Sequence, residues 1–321
     1  DTPTKINYSI LPSPHFIIRN VTILNENNSK YEGVIIKKFK VKISQKNLFN
    51  YKNFIIKDLT LDDVLINTKR SNTNIFIDFF SNKLSQKKIK LNKTKLIYSD
   101  HDDETVLIVP LKKIDLNYDQ ELNFNILSLT GKIFNQPFDL KFKKQISDKK
   151  MSEIFFKLKN VNFKFQNQQY LNEKKIIGIN NFNFGKKEFY TTYSVENDKL
   201  IFSSKKKETK NKNFKYNGGI DLNPFEFNIS AKAKRLKTNQ ITDNYFILRE
   251  LLRNKIVINR NFNGKISIKI NDIQNSKLLE KIKINANFIN DLLEFNNTEV
   301  YLANFGNVRC LRCELFYSNN Y

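Results

Sequence analysis

The chain is poor in glycine and proline, with only eight and six among its 321 residues. That is few for a large all-β protein. Asparagine, whose short side chain tolerates left-handed backbone, is therefore expected to do much of the turn work. Only two histidines are present, and no Ser-His-Asp arrangement, phosphate-cradling glycine loop or glycosidase-like carboxylate pair stands out. These absences argue against an enzyme, and no cofactor is predicted.

Long hydrophobic runs are also missing. No apolar stretch reaches the roughly 18 residues that a transmembrane helix needs, and nothing resembles a signal peptide. The chain begins with Asp1 rather than methionine. We therefore expect a trimmed piece from which a targeting or anchoring segment has been removed.

What the chain does have is a two-residue alternation of apolar and polar side chains. Period two is the side-chain period of a β-strand, so each run gives one apolar face and one polar face. The pattern predicts a mainly β protein built on one long, curved antiparallel sheet, an open groove, with one or two short helices. The candidate residues for its apolar, ligand-binding face are Phe39, Val41, Ile43, Leu59, Leu61, Phe225, Phe227, Ile229, Ile266 and Ile268.

The segment from Thr238 to Asn254 departs from this alternation. Its apolar residues recur at steps of three and four, which predicts an amphipathic helix that either caps the sheet or lies on a membrane. A second helical turn is predicted at 275–282, and 75–85 fits a strand or a short helix. Asn263-Gly264 is a hairpin-turn signal. The short turns elsewhere exclude a parallel βαβ architecture and predict an antiparallel meander.

A lysine-rich stretch, 203–212, is the best candidate for a linker. It divides a single elongated β region, 1–321, into an N-terminal meander, 1–202, and a C-terminal meander, 213–321, that contains the helix. The formal charge of +23 is compatible with a polyanion partner or with codon bias. Lysine greatly outnumbers arginine and is spread along the strands, so nucleic acid is not the favoured partner.

Two local clusters are candidate sites. Cys310 and Cys313 form a Cys-x-x-Cys that fits an incidental pair, a local disulfide or half of a metal or redox site. Three-residue spacing on a strand would place the two thiols on opposite faces. The acidic run from Ser99 to Glu104 fits a hairpin tip or a divalent-cation site, but it lacks calcium-loop spacing. No metal site is predicted.

Residues 14–67 carry a resemblance to a known family. Pro14-His15-Phe16-Ile17-Ile18-Arg19-Asn20-Val21-Thr22-Ile23 is followed by the basic and apolar alternation of 34–48 and by Phe54-Ile55-Ile56-Lys57-Asp58-Leu59-Thr60-Leu61. This order of strands resembles the N-terminal region of the AsmA-like family, the AsmA/TamB-type bridge-like proteins of Gram-negative envelopes. Leu48-Phe49-Asn50-Tyr51 stands where the family's turn often carries proline and glycine.

The resemblance implies a non-enzymatic periplasmic protein, anchored in the inner membrane by a helix outside this chain. It also implies a role in outer-membrane lipid homeostasis, with phospholipid or other acyl chains held along the β-groove and an outer-membrane or periplasmic protein as partner. An apolar face that is not covered needs such a ligand, whereas in a closed sandwich or barrel the same face packs on protein. The alternatives are an assembly factor for outer-membrane proteins and a basic nucleic-acid-binding protein.

Overall fold

A computed structural model describes most of the chain. The described residues are 5–24, 32–45, 55–69, 79–84, 87–99, 105–133, 136–147, 151–160, 163–172, 175–184, 187–205, 214–222, 224–238 and 262–316.

The described residues are mostly β-strand, which confirms a mainly β fold. The chain divides into two compact units, Asp1–Gln166 and Asn167–Tyr321, with the boundary inside one strand, Phe163–Asn172. The subdivision predicted at 202 and 213 remains a separate prediction. We describe each unit by itself and call them unit 1 and unit 2.

Unit 1 is a ladder of strands that pair with their neighbours in chain order. One helical turn, 79–81, lies between the fourth and fifth strands. The strands are β1 Lys5–Ser9, β2 His15–Leu24, β3 Glu32–Ile43, β4 Ile56–Lys69, β5 Ile89–Ser99, β6 Thr105–Asp119, β7 Phe124–Ile133, β8 Gln136–Gln145 and β9 Met151–Leu158, with β10 Phe163–Asn172 at the boundary.

Unit 2 continues in the same style, with an additional two-stranded sheet formed by β16 and β18. Its strands are β11 Lys175–Phe184, β12 Lys187–Glu196, β13 Lys199–Ser204, β14 Phe214–Leu222, β15 Phe225–Ala233, β16 Leu236–Lys237, β17 Asn263–Ile270, β18 Ile273–Gln274, β19 Leu279–Ile289, β20 Leu292–Leu302 and β21 Gly306–Phe316.

The prediction of a purely antiparallel meander is wrong at one join in the main ladder of each unit, and also at the small β16–β18 pair of unit 2, which is parallel. β4 pairs with β5 in parallel, and β15 pairs with β17 in parallel. A parallel pair needs a connection of a dozen or more residues. The chain supplies it between Lys69 and Ile89 and again between Ala233 and Asn263.

The alternation slips by one residue at the same level of neighbouring strands in unit 1. Asn20, Asp63 and Lys93 have left-handed backbone, with φ of 54°, 54° and 49°, and each is skipped in the pairing of its strand. Such bulges leave one residue unpaired and change which face the following residues occupy. As a result Leu61 and Val64, three residues apart, both contribute to the apolar core.

The core of unit 1 consists of side chains on one face of the ladder, which we call the apolar face; the opposite face is the outer face. Ile36 and Val64 are each only 2% exposed. The buried members of the cluster are Ile36, Val64, Leu91, Val109, Leu111, Ile114 and Phe138.

In unit 2, glycines make room for aromatic rings. Gly178 stands opposite Tyr193 and Gly218 stands opposite Phe202, and a Cβ on either glycine would collide with the facing ring. Glycine has no side chain to cover its own backbone, and a ring lying across it provides that cover. These glycines are therefore explained by packing in the sheet rather than by turns.

Candidate functional site

The five candidate residues of unit 1 share the apolar face of β3 and β4. Phe39 is opposite Leu61, and Val41 is opposite Leu59. Ile43 is buried, while the other four are half-buried. Every described strand from β1 to β9 belongs to one ladder, so no second sheet among the described residues of unit 1 covers this face.

A short segment caps one end of that face. The side chain of Asn125, 0% exposed, donates hydrogen bonds to the carbonyls of Phe80 (2.8 Å) and Asn82 (2.7 Å) and accepts one from the amide of Leu84 (3.0 Å). The Phe80 ring also meets that of Phe142 at 5.6 Å between centroids. The segment belongs to the β4–β5 connection, and the helical turn at 79–81 resolves the ambiguity of 75–85 for these residues.

The five candidate residues of unit 2 also share one face. Ile229 is opposite Ile266 across the parallel pair, and Ile268 follows two residues later on the same face. Phe227 is 3% exposed and packs in the core with Ala286, Phe288 and Leu293, against which Phe225, Ile229 and Ile266 also pack. Sequence reasoning thus placed all ten candidates on apolar faces, five in each unit.

An aromatic residue at the end of the β15–β17 connection packs on the same face. The ring of Phe262 lies 4.6 Å from that of Phe227 and 5.5 Å from that of Phe288, centroid to centroid. In each unit, the described end of the parallel crossover therefore covers part of the apolar face. Sequence reasoning missed both contacts, because it left 75–85 ambiguous between strand and helix and placed a hairpin turn directly after Phe262.

Polar side chains interrupt the apolar face of unit 2 near β10 to β12. The Asn167 amide donates to Asn180 Oδ1 and to the Tyr193 hydroxyl, each at 2.7 Å, and that hydroxyl donates to Gln169 Oε1 at 2.9 Å. Asn167 is buried, and its own Oδ1 has no hydrogen-bond partner among the described residues. These side chains thus form a hydrogen-bonded polar cluster within an otherwise apolar face.

Burial also alters the acidity of two tyrosines in this region. Desolvation raises the pKa of Tyr193 against the opposing effect of its hydrogen bond with Asn167. Desolvation likewise raises the pKa of Tyr216, whose hydroxyl lies 2.5 Å from that of Thr191. Both tyrosines stay neutral near pH 7 and act there as hydrogen-bonding groups.

The outer face of unit 1 carries ion pairs, and Asp115 has two of them. It lies 2.7 Å from Lys113 and 3.3 Å from Lys88. Partial burial raises the pKa of the Asp115 carboxyl, but the two lysines outweigh it and hold that pKa below its usual value. The outer face of unit 1 thus carries paired charges at this point.

Edge strands leave part of each apolar face exposed. In unit 1, Ile6 lies opposite Ile18 and is 58% exposed, and Tyr8 lies opposite Phe16 and is 48% exposed. In unit 2, Val308 and Leu315 on β21 lie opposite the apolar-face residues of β20 and are also exposed. A ligand could reach the apolar face at these edges without moving a core residue.

Cys310 and Cys313 form a disulfide, with their Cα atoms 6.0 Å apart. The expectation that three-residue spacing separates the thiols is wrong because β20 and β21 slip together. Thr298 pairs with Cys310 and Phe295 pairs with Cys313, so one residue between the pairs is skipped on each strand. The slip brings both cysteines to the same face.

Several predictions fall on residues that the structure does not describe. The acidic run Asp100 to Glu104 lies outside the described residues, as do 206–212 of the lysine-rich stretch and all of the predicted helix beyond Thr238. The predicted helical turn at 275–282 is wrong, because a turn at Asn275 joins β18 to β19, which begins at Leu279. The hairpin at Asn263-Gly264 is also wrong, since both residues belong to β17.

Among the described residues, no three His, Cys, Asp or Glu side chains come together in a way that could hold a metal ion. The helical part of the described chain contains no segment with the length and apolar character to cross a bilayer.

Comparison with known proteins gives little. No family model and no curated protein matches the chain. A solved structure, titled "Crystal structure of Sex pheromone staph-cAM373 precursor", matches over 94% of this chain and 85% of its own length. It is 6% identical with a TM-score of 0.14, so this likeness carries no argument about fold or function.

Proposed function

We propose that the apolar faces of the two units bind acyl chains, and that the protein is a non-enzymatic lipid carrier of the Gram-negative envelope. The observation that carries the proposal is a broad apolar face built on one layer of strands. In unit 1 it runs from β2 to β9 without a described second sheet over it. An apolar surface of this kind favours a ligand that needs burial but little directional recognition.

The character of the lining supports an acyl chain over a polar ligand. In unit 1 the face consists mainly of leucine, isoleucine, valine and phenylalanine. Its exposed edge, at Ile6 and Tyr8, is where a chain would enter. In unit 2 the hydrogen-bonded side chains of Asn167, Asn180 and Tyr193 lie beside the apolar lining and would suit the polar end of such a ligand.

The resemblance of residues 14–67 to the AsmA-like family provides the setting of the proposal. What that resemblance implies is a periplasmic protein anchored to the inner membrane, with phospholipid as cargo and an envelope protein as partner. Outer-membrane lipid homeostasis is the corresponding role.

Photo-crosslinking with a phospholipid that carries a diazirine in its acyl chain tests the proposal. The purified protein is labelled, digested and mapped, and bound lipid is extracted and identified by mass spectrometry. Labelled peptides should come from apolar-face strands such as β3, β4, β15 and β17. Absence of co-purifying lipid together with labelling spread evenly over both faces would reject the proposal.

Charge substitutions at the exposed edge make the test specific. Ile6→Glu and Tyr8→Glu place a carboxylate on the apolar face, where burial against an acyl chain is unfavourable, and should lower labelling of unit 1 by about fivefold or more. Asn7→Glu on the outer face of the same strand is the matched control and should leave it unchanged. In unit 2, Val308→Glu and its neighbour Asn307→Glu form the equivalent pair. Equal loss in variant and control would contradict binding at the apolar face.

A further inference from the structure

The outer face of unit 2 carries a line of four lysines on neighbouring strands. Lys215 on β14 is opposite Lys232 on β15, which is opposite Lys269 on β17, which is opposite Lys283 on β19. We call these residues the lysine row. Adjacent strands are about 4.8 Å apart, so the row places four charges along about 14 Å.

No member of the lysine row forms an ion pair with a described residue. Glu299 on β20 stands opposite Lys283, but its carboxylate forms an ion pair with Arg309 at 3.3 Å. Like charges directly opposite one another destabilise a sheet. Unit 1 has a shorter run of opposing cations, Lys5, Arg19 and Lys38, which ends at Asp62. In unit 1, lysines stand opposite carboxylates at Lys38 and Asp62, Lys42 and Asp58, Lys90 and Asp115, and Lys157 and Asp139.

The same outer face carries exposed isoleucines. Ile177 and Ile179 on β11 flank Gly178, and Ile201 on β13 precedes Phe202. Gly178 and Phe202 are both paired with Tyr193 on the apolar face, so the three isoleucines point to the outer face. They are 45%, 39% and 56% exposed. We call these three residues the isoleucine patch.

We propose that the outer face of unit 2 docks on an anionic phospholipid bilayer, with the lysine row at the headgroups and the isoleucine patch at their boundary with the acyl chains. Lysines near an anionic leaflet are attracted to it. Exposed apolar side chains are stabilised when they are buried among lipids, and a polyanion in water offers no such burial. The cost of opposing like charges in the free protein is then offset when the headgroups neutralise them. This docking site is separate from the acyl-chain faces and does not depend on them.

The neighbouring side chains favour a membrane over nucleic acid. The row of the outer face beside the lysines consists of Ser203, Asn217, Ser230, Ser267 and Asn285. Sites for single-stranded nucleic acid combine positive charge with aromatic platforms for the bases, and this row contains no aromatic residue.

Vesicle flotation with the full chain tests the proposal. The protein should bind vesicles of phosphatidylcholine containing about one-third phosphatidylglycerol and bind pure phosphatidylcholine weakly. Replacing all four residues of the lysine row by glutamine should lower the partition coefficient by about 600-fold, since each lysine contributes about fivefold. Replacing the isoleucine patch by glutamine should lower it about tenfold, and this loss should persist in about 1 M salt, where charges are screened.

The matched control removes the same charge from unit 1 by Lys→Gln at 42, 90, 143 and 157, each of which stands opposite a carboxylate. It should change binding by less than about threefold. Urea denaturation separates loss of binding from loss of fold. The lysine-row variant should have a higher urea midpoint than the wild type, because repulsion between like charges is relieved. The control variant should have a lower urea midpoint, because it loses lysines that stand opposite carboxylates. Lys232→Gln with Lys269→Gln gives a milder second variant that should lower binding about 25-fold.

Three results would overturn docking on an anionic bilayer. The first is an equal loss of binding in the lysine-row variant and the unit 1 control, which would make net charge the cause. The second is equal binding to neutral and anionic vesicles. The third is tight, salt-sensitive binding of a single-stranded oligonucleotide that depends on the lysine row, with vesicle binding unaffected by the isoleucine patch; that outcome would assign the face to nucleic acid.

Discussion

Replacing Asn125 by leucine should release the cap on the apolar face of unit 1. Leucine has nearly the same size, so the change removes hydrogen bonds and leaves little cavity. Three bonds of 2.7 to 3.0 Å are lost, to Phe80, Asn82 and Leu84. At a net value of about 1 kcal/mol each, the free energy of unfolding should fall by about 3 kcal/mol. That is a large part of the roughly 5–15 kcal/mol that stabilises a typical domain.

Urea denaturation followed by circular dichroism measures this loss, and hydrogen exchange locates it at 79–84. Asn125→Asp should also destabilise the protein, because a carboxylate would face two carbonyl oxygens. The control is Asn117→Leu, at a half-buried site on β6 where the side chain has no hydrogen bond to a described residue, and it should cost less than about 0.5 kcal/mol. If Asn125→Leu costs less than about 1 kcal/mol, or faster exchange does not centre on 79–84, Asn125 does not hold the cap.

Three further predictions concern the backbone and the charges. Gly264→Ala should destabilise unit 2 by about 3 kcal/mol in the same urea assay, because the φ of Gly264 is +154° and the new Cβ would lie 2.6 Å from the ring of Phe227. Gly219→Ala is the control and should be nearly neutral, because the nearest atom to its new Cβ is 3.8 Å away. The pKa values of Tyr193 and Tyr216 are raised in the folded state, so above about pH 10 the folded protein keeps two protons that the unfolded chain loses. The free energy of unfolding should therefore fall as pH rises above about 10, and replacing both tyrosines by phenylalanine should flatten that slope. The lowered pKa of Asp115 contributes stability above about pH 3.8, and this stability is lost as pH falls through the pKa of Asp115 in the folded state. Asp115→Asn should therefore reduce the dependence of the free energy of unfolding on pH in the acid range. An unchanged dependence would contradict the ion pairs.

Alternation along the chain predicted the strands and the apolar faces because period two is a local property of the backbone. Phe39 and Leu61 meet across β3 and β4 as alternation requires, and Ile229 meets Ile266 across β15 and β17. It did not predict that the second of these pairs is parallel. Direction depends on where a connection returns, and alternation within a strand reads the same in either direction.

Local turn signals failed where tertiary packing decides the conformation. Asn263-Gly264 has the composition of a hairpin turn, yet both residues lie in β17 and Gly264 faces the ring of Phe227. The glycine is needed there because a side chain would collide with that ring. Asparagine does take much of the left-handed backbone, as expected from the scarcity of glycine, at positions such as Asn123 and Asn290.

The aligned slips explain how one apolar face extends along these strands. In β4, Leu59 and Leu61 have odd numbers while Val64 and Ile66 have even ones, so uninterrupted alternation would put the two pairs on opposite faces. The left-handed residue Asp63 restores them to one face, and Asn20 and Lys93 do the same for β2 and β5. A slip in one strand alone would break the pairing with its neighbours, so the slips must occur at the same level. The same reasoning accounts for Cys310 and Cys313, which share a face because β20 and β21 slip together. In this protein, therefore, a change of parity within an alternating run indicates a bulge rather than the end of a strand.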